Sequence, residues 1–298
     1  MKPSSCKQHG RDCDAGEGRG ESRRRVGAPW IGGRHVKIVV AVKSVARLDD
    51  EFGLLEDASD VDPHDLEFDL NEWDDFAHEA ALALREQVGG GEVLVVTVGD
   101  EDSEGALRSC LAKGADRAMR IWDEVLEEAD PMAVARVLAA AVEREEADLV
   151  LCGVQSSDAA NGATGAALAG FADLRRIAVV RALAYDEAGS TLTVERELED
   201  GLVEVLRVRT PALLTIQTGI NRPRYANLRA IKQAVARSLS VITLAELGLD
   251  QAAVAAATGA RSRGLAHTGG GDGAEMLGGG AAEVAPRIVE IVRSRLAS

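Results

Sequence analysis

Along the chain, apolar residues come first in short unbroken runs and later in alternation. VKIVVAV (36–42), EVLVVTVG (92–99), RAMRIW (117–122) and ADLVLCG (147–153) are continuous and mostly rich in β-branched side chains. Such runs suit strands buried on both faces. Between them the period turns helical. Trp73, Phe76, Ala77, Ala80, Ala81 and Leu84 fall on one helix face, and SEGALRSCLAKGA (103–115) reads as a helix capped by Ser103 and Gly114. DPMAVARVLAAAVEREE (130–146) opens with an Asp N-cap and a Pro at the first helical position. Strands alternating with helices predict βαβ units, right-handed crossovers and an α/β fold on a mostly parallel sheet. After residue 176, IAVVRALAYD, TLTVERELEDG and LVEVLRVRTPALLTI alternate at period two and read as antiparallel strands added to that sheet. Short helices are expected within 222–233 and 243–250. AAEVAPRIVEIVRSRLAS (281–298) reads as an amphipathic arm helix behind a linker with seven glycines in 268–280.

Composition narrows the class. Of 298 residues, 46% are hydrophobic and only 3% aromatic, so the core is built of small aliphatic side chains. That favours helices on a sheet over a β-sandwich. No apolar run approaches the roughly 18 residues of a membrane span, and no apolar segment follows the basic start as in a secretory signal. A cytoplasmic chain without direct membrane insertion is expected. The formal charge is −15, yet residues 1–35 hold eight Lys/Arg against four Asp/Glu, which leaves −19 on the rest. That excess argues against nucleic acid. Fourteen acids and no Lys or Arg lie between Asp49 and Glu79, and most of them read as a solvated loop and helix face.

The chemistry concentrates in CGVQSSDAANGATG (152–165), small and polar residues between a buried strand and an apolar helix start. A junction of this kind offers backbone N–H groups and a helix dipole, which hold a phosphate without cationic side chains. Gly153, Gly162 and Gly165 permit close approach, and Ser156, Ser157, Asn161 and Thr164 add short hydrogen-bonding groups. By spacing alone, a long surface loop with a Thr cap fits as well. There is no GK[ST], no GxGxxG, no catalytic triad spacing and no metal-ligand spacing. His78 reads as a surface residue beside a helix face. The pattern belongs to a binder more than to a catalyst.

From Val36 onward the chain resembles the β subunit of electron transfer flavoproteins. The resemblance rests on VAVK (40–43), LNEWDD (70–75), VTVG (96–99), KGADRA (113–118) and the 152–165 loop, in that order. Most specific is VEREL-EDG-LVEVL-RVRTPALLT (194–215), with NRPRYANLRAIKQA (221–234) after it. The family implies a non-catalytic electron-carrier subunit. It pairs with an α subunit that carries most of a redox-active FAD, and it buries a structural AMP. It shuttles electrons from acyl-CoA or other dehydrogenases to a quinone oxidoreductase. On this resemblance AMP would meet Ala41, Asn71, Glu72, Trp73, Asp74 and Val98. Its phosphate would lie in the loop of Gly153, Val154, Gln155, Ser156, Ser157, Asp158, Ala159, Ala160, Asn161, Gly162, Ala163 and Thr164. Trp73 stands where the family has a Phe toward the flavin, and a core tryptophan is the other reading. The ending ATG, in place of the VGP of electron-bifurcating members with a second FAD, favours AMP. Tyr225, Leu228 and Ile231 would form the partner-recognition loop, with Leu228 as its anchor.

Three segments are thus expected: 1–35 as an unstructured extension, 36–250 as a Rossmann-like adenine-nucleotide domain, and 251–298 as a linker and helical arm on the partner subunit. A stand-alone adenine-nucleotide sensor resembling universal stress proteins is the alternative, although a sensor needs no 48-residue arm. An ATP-pyrophosphatase would carry its phosphate loop after the first strand, where VAVKSVAR stands instead.

Overall fold

The computed structural model describes residues 36–47, 52–57, 59–62, 64, 66–127, 129–186, 191–260, 264–266 and 274–296. The expected extension over 1–35 lies outside the described residues, as does part of the glycine linker. In chain order the elements are β1 (Lys37–Ala41), β2 (Ser44–Arg47), β3 (Glu67–Leu70), α1 (Glu72–Val88), β4 (Glu92–Val98), α2 (Glu104–Lys113), β5 (Arg117–Ile121) and α3 (Pro131–Arg144). They continue with β6 (Leu149–Gly153), α4 (Thr164–Phe171), β7 (Arg175–Asp186), β8 (Thr191–Glu197), β9 (Val203–Val208), β10 (Ala212–Ile216), α5 (Leu228–Ala236), β11 (Ser240–Ile242), α6 (Gln251–Ala257) and α7 (Ala281–Leu296).

Nine strands form one sheet in the order β11-β5-β4-β1-β6-β10-β7-β8-β9. Pairing is parallel from β11 through β7 and antiparallel across β7–β8–β9. Alternation along the central strands explains why their runs are unbroken. Ile38, Val40, Val93, Val95, Leu149 and Leu151 pack toward α1, α2 and α5. Val39, Ala41, Leu94, Val96, Val150 and Cys152 pack toward α3, α4 and α6. Both faces are covered, so the middle positions of β1, β4 and β6 are apolar on either side. Truncating a fully buried side chain such as Leu151 to Ala costs about 2–5 kcal/mol.

Winding sets the geometry of the site. β1, β4 and β5 run outward on one side through α1 and α2, and α3 then carries the chain back to β6 on the other side of β1. The ends of β1 and β6 therefore flank the point where strand order reverses, and ligands of open α/β sheets bind there.

Several expectations need correction. ALLTI is not antiparallel. It forms β10, inserted in parallel between β6 and β7 with all five residues buried. Pro211 lacks an N–H to continue the β9 ladder, and the unbroken apolar run after it needs cover on both faces. The acidic connection contains a hairpin, β2 against β3. Ser103 does not cap α2 by its side chain; its Oγ donates to the Asp100 carbonyl at 2.6 Å. Within 243–250 there is only a 3-10 turn, Ala245–Leu247. The Asp130 N-cap is as expected, accepting from the N–H groups of Met132 (3.0 Å) and Ala133 (2.9 Å).

The chain forms two units. The larger takes in the sheet and α1–α6, up to residue 261. The smaller comprises 52–63 and 262–298, with a Leu54–Val61 bridge and α7. No described residue of α7 is buried, and Ile288, Val289, Ile291, Val292 and Leu296 are exposed along it.

Candidate functional site

β1 and β6 pair through Val40 and Leu151 and then part. The Val42 N–H turns to the Val96 carbonyl (2.9 Å), and the Val154 N–H turns the other way to the Ile216 carbonyl (3.1 Å). The crevice between them is filled by the first turn of α1. A Cβ on Gly153 would stand 2.5 Å from the Trp73 Cβ and 3.0 Å from the Trp73 carbonyl carbon, so this approach requires glycine.

Asp74 sits in the crevice, 5% exposed. Its Oδ2 accepts the Lys43 N–H and its Oδ1 the Gly153 N–H, both at 2.8 Å. Burial pushes its carboxyl up to about 6, against the pull of those donors, Asn71 and the Lys43 charge. Asn71, 1% exposed, reaches one turn further along the loop. Its Nδ2 donates to the Gln155 carbonyl (2.9 Å) and its Oδ1 accepts the Ser157 N–H (3.2 Å). Lys43 Nζ closes the front by pairing with the Asp158 carboxylate at 2.7 Å. Burial pushes the Asp158 carboxyl up, but the bonds from Lys43, Ser156 and the Ala159 N–H outweigh it and hold the group below its usual range.

The loop thus has two halves. In 153–160 the N–H groups of Gly153, Val154, Ser157, Ala159 and Ala160 are engaged inside the protein. In the second half, among the described residues, no acceptor faces the N–H groups of Asn161, Gly162 and Ala163. Those of Thr164, Gly165 and Ala166 belong to the first turn of α4, where a helix has no internal acceptor. Ala160 (φ 48°) and Gly162 (φ 59°) are left-handed, and Ala163 (φ −98°, ψ −33°) is right-handed. Such alternation turns successive N–H groups into a concave anion nest.

Of the residues expected to touch a ligand, Ala41 is buried and Val98 half-buried at the ends of β1 and β4. Ala41 borders the crevice, and Val98 stands one strand further out, on β4. Trp73 is half-buried, and its Nε1 donates to Gln217 Oε1 at 3.2 Å. Glu72 is exposed. Asn71 and Asp74 are present, but their polar atoms serve the loop. Lys43 and Gln217 went unmarked as site residues. The motif VAVK carries Lys43, but its pairing with Asp158 spans 115 residues and needs the fold.

The far part of α1 holds a second segment. Asn221 Nδ2 donates to the Phe76 carbonyl (3.0 Å), and the Arg224 guanidinium pairs with Glu79 (2.9 Å) and Glu86 (2.8 Å). Beyond these anchors Tyr225 is 98% exposed, Leu228 68% and Ile231 44%. His78 is not a surface residue. It is fully buried, neither ring nitrogen has a partner, and burial lowers its pKa to about 3, helped by the charges of Lys113, Arg224 and Arg85. Asp74 and Glu79 likewise depart from the solvated-face reading of the acidic stretch.

Residues 60–247 match the electron transfer flavoprotein domain. Over 258 residues the chain is 41% identical to the electron transfer flavoprotein subunit beta of Methylophilus methylotrophus, covering 86% of this chain and 98% of that protein. It is 35% identical to the human subunit beta over 219 residues, 72% of this chain and 84% of the relative. Against the subunit beta of Thermoanaerobacterium thermosaccharolyticum it is 37% identical over 183 residues, 61% and 69% of the two chains. The chain belongs to the electron transfer flavoprotein family, as a β subunit. It is an electron-carrier subunit and not an enzyme on its own.

Proposed function

We propose that this β subunit binds AMP at the switch point, pairs with an electron transfer flavoprotein α subunit, and helps that subunit hold the redox-active FAD. The observation that carries the nucleotide reading is the run of unengaged N–H groups over residues 161–166, folded as a nest at the start of α4. An acidic protein can hold a phosphate there by local dipoles alone. Ala41 borders the crevice on its α3–α4 side, with Val98 one strand further out, and an adenosine would lie there against apolar walls. Exposed Tyr225, Leu228 and Ile231 are the surface through which a donor, an acyl-CoA or other dehydrogenase, docks, and a quinone oxidoreductase is the acceptor. The arm carrying α7 serves the α subunit. Among the described residues no helix is long and apolar enough to cross a membrane.

The pairing is tested by co-expression with the α subunit. Purified alone, the chain is expected to be nearly colourless. Purified with α, it is expected to show a flavin spectrum that bleaches on reduction. A chain that never co-purifies with α, or holds flavin without it, contradicts the reading.

A further inference from the structure

We propose that Asp74, seconded by Asn71, is a positioning residue for the nucleotide loop: its carboxylate sets the gap between the ends of β1 and β6, so that residues 161–166 converge on a phosphate. The inference rests on the nucleotide reading above and deepens it. It departs from the ligand role that the family resemblance implies for residues 71–74.

Geometry carries it. Both carboxylate oxygens are taken by backbone N–H groups from the two strands that part at the crevice, Lys43 and Gly153 at 2.8 Å each. Asn71 spends its amide on Gln155 and Ser157. At 5% and 1% exposure, both side chains are shut off from solvent, and every hydrogen-bonding atom they carry is turned to the protein's own backbone. Three contacts from one turn at the start of α1 therefore fix 153–157, a fourth ties the same turn to the end of β1 at Lys43, and that half of the loop is the footing for the nest. Glycine at 153 is what allows the footing to sit so close to α1.

A carboxylate suits the task because it accepts on both oxygens, whereas a carboxylic acid must present an O–H to one of the two N–H donors. The groups facing Asp74 are Lys43 beyond β1, the Cys152 thiol on β6, the Cys110 thiol on α2, and Asp75 on its own helix, which Lys113 of α2 neutralises at 2.7 Å. Lys43 itself is occupied by Asp158. No unpaired cation among them holds the carboxylate ionised, and burial raises its pKa to about 6. Protonation takes an acceptor from one of the two N–H donors, so mild acid is expected to loosen the footing locally, although burial favours the neutral carboxyl and the fold itself is not weakened at this residue.

The test uses the complex with the α subunit, wild type and Asp74→Asn. Asn is nearly isosteric but turns an N–H₂ toward one of the two donors. AMP is expected to bind about tenfold or more weakly in the variant at pH 7.5. Wild-type affinity is expected to fall more steeply between pH 7 and 5 than that of the variant, whose profile follows only the second ionisation of the phosphate near pH 6. Amide exchange of residues 153–157 in wild type, with nucleotide removed, should rise over the same pH window, and this requires no variant to fold. Equal AMP affinity and parallel pH profiles in the two proteins, or exchange at 153–157 indifferent to pH, overturn the proposal. If wild type holds no AMP at all, the nucleotide reading fails instead. The exchange measurement still decides whether Asp74 braces the loop.

Discussion

Two buried titratable groups on α1 respond to acid in opposite directions. His78 has its folded pKa depressed from 6.5 to about 3, so the fold favours the neutral ring. The stability this gives is complete above pH 6.5 and is lost as pH falls toward 3. Asp74 has its pKa raised from 3.8 to about 6. Its contribution is complete below pH 3.8 and is lost as pH rises through 6. Between pH 6 and 4 the two slopes oppose each other. His78→Leu is therefore expected to gain on wild type as pH drops, by about 2 kcal/mol between pH 7 and 5 at roughly 1.4 kcal/mol per unit. Denaturant midpoints at the two pH values measure this, and an unchanged difference contradicts it. Gly153→Ala is a packing test at the same scale. The new methyl meets the Trp73 backbone, and the variant is expected to lose about 1–3 kcal/mol and its AMP together. Neither group was legible as such in the sequence. A histidine and an aspartate at helical spacing look the same on a wet face as on a dry one, and only the packing of α1 against the sheet separates them.

At the scale of elements, α1 is the shared support of two loops. Its first turn braces residues 153–157, and Phe76, Glu79 and Glu86 brace 221–224. With those anchors in place, α5 starts with Leu228 exposed. Leu228→Ala is expected to weaken dehydrogenase docking by about 2 kcal/mol, roughly thirtyfold, as for an interface hot spot. The melting temperature should hold, because a residue 68% exposed carries little of the core. A lowered melting temperature with unchanged docking would remove the recognition role. The arm offers a second test. Removing 268–298 takes away α7 and its exposed Ile288, Ile291 and Val292, and should weaken pairing with the α subunit while the larger unit stays folded. Undiminished pairing contradicts it. The continuous strands and the Asp130-capped helix could be read directly, since a buried parallel strand and a Pro-opened helix each leave a local pattern. The β2–β3 pairing could not, because its strands are four residues each, β3 is largely exposed, and so short a pair carries no apolar period. β10 departs from the antiparallel expectation because alternation ends at Pro211 and an unbroken buried run follows it.

For the whole molecule, the winding of the sheet decides where a ligand goes. The glycine- and serine-rich loop was legible in outline as the junction of a buried strand with a helix start. Its division into a braced half and a free half was not, because the brace comes from residues 71 and 74, more than 75 positions away in the chain. The net charge of −15 makes the free N–H groups more telling, since an anion must be held against the overall field. On the function proposed above, this nest holds AMP while FAD is shared with the α subunit. Mass spectrometry of the nucleotides released when the purified heterodimer is denatured tests it most directly. One FAD and one AMP per heterodimer is the predicted result, and two FAD with no AMP would contradict it.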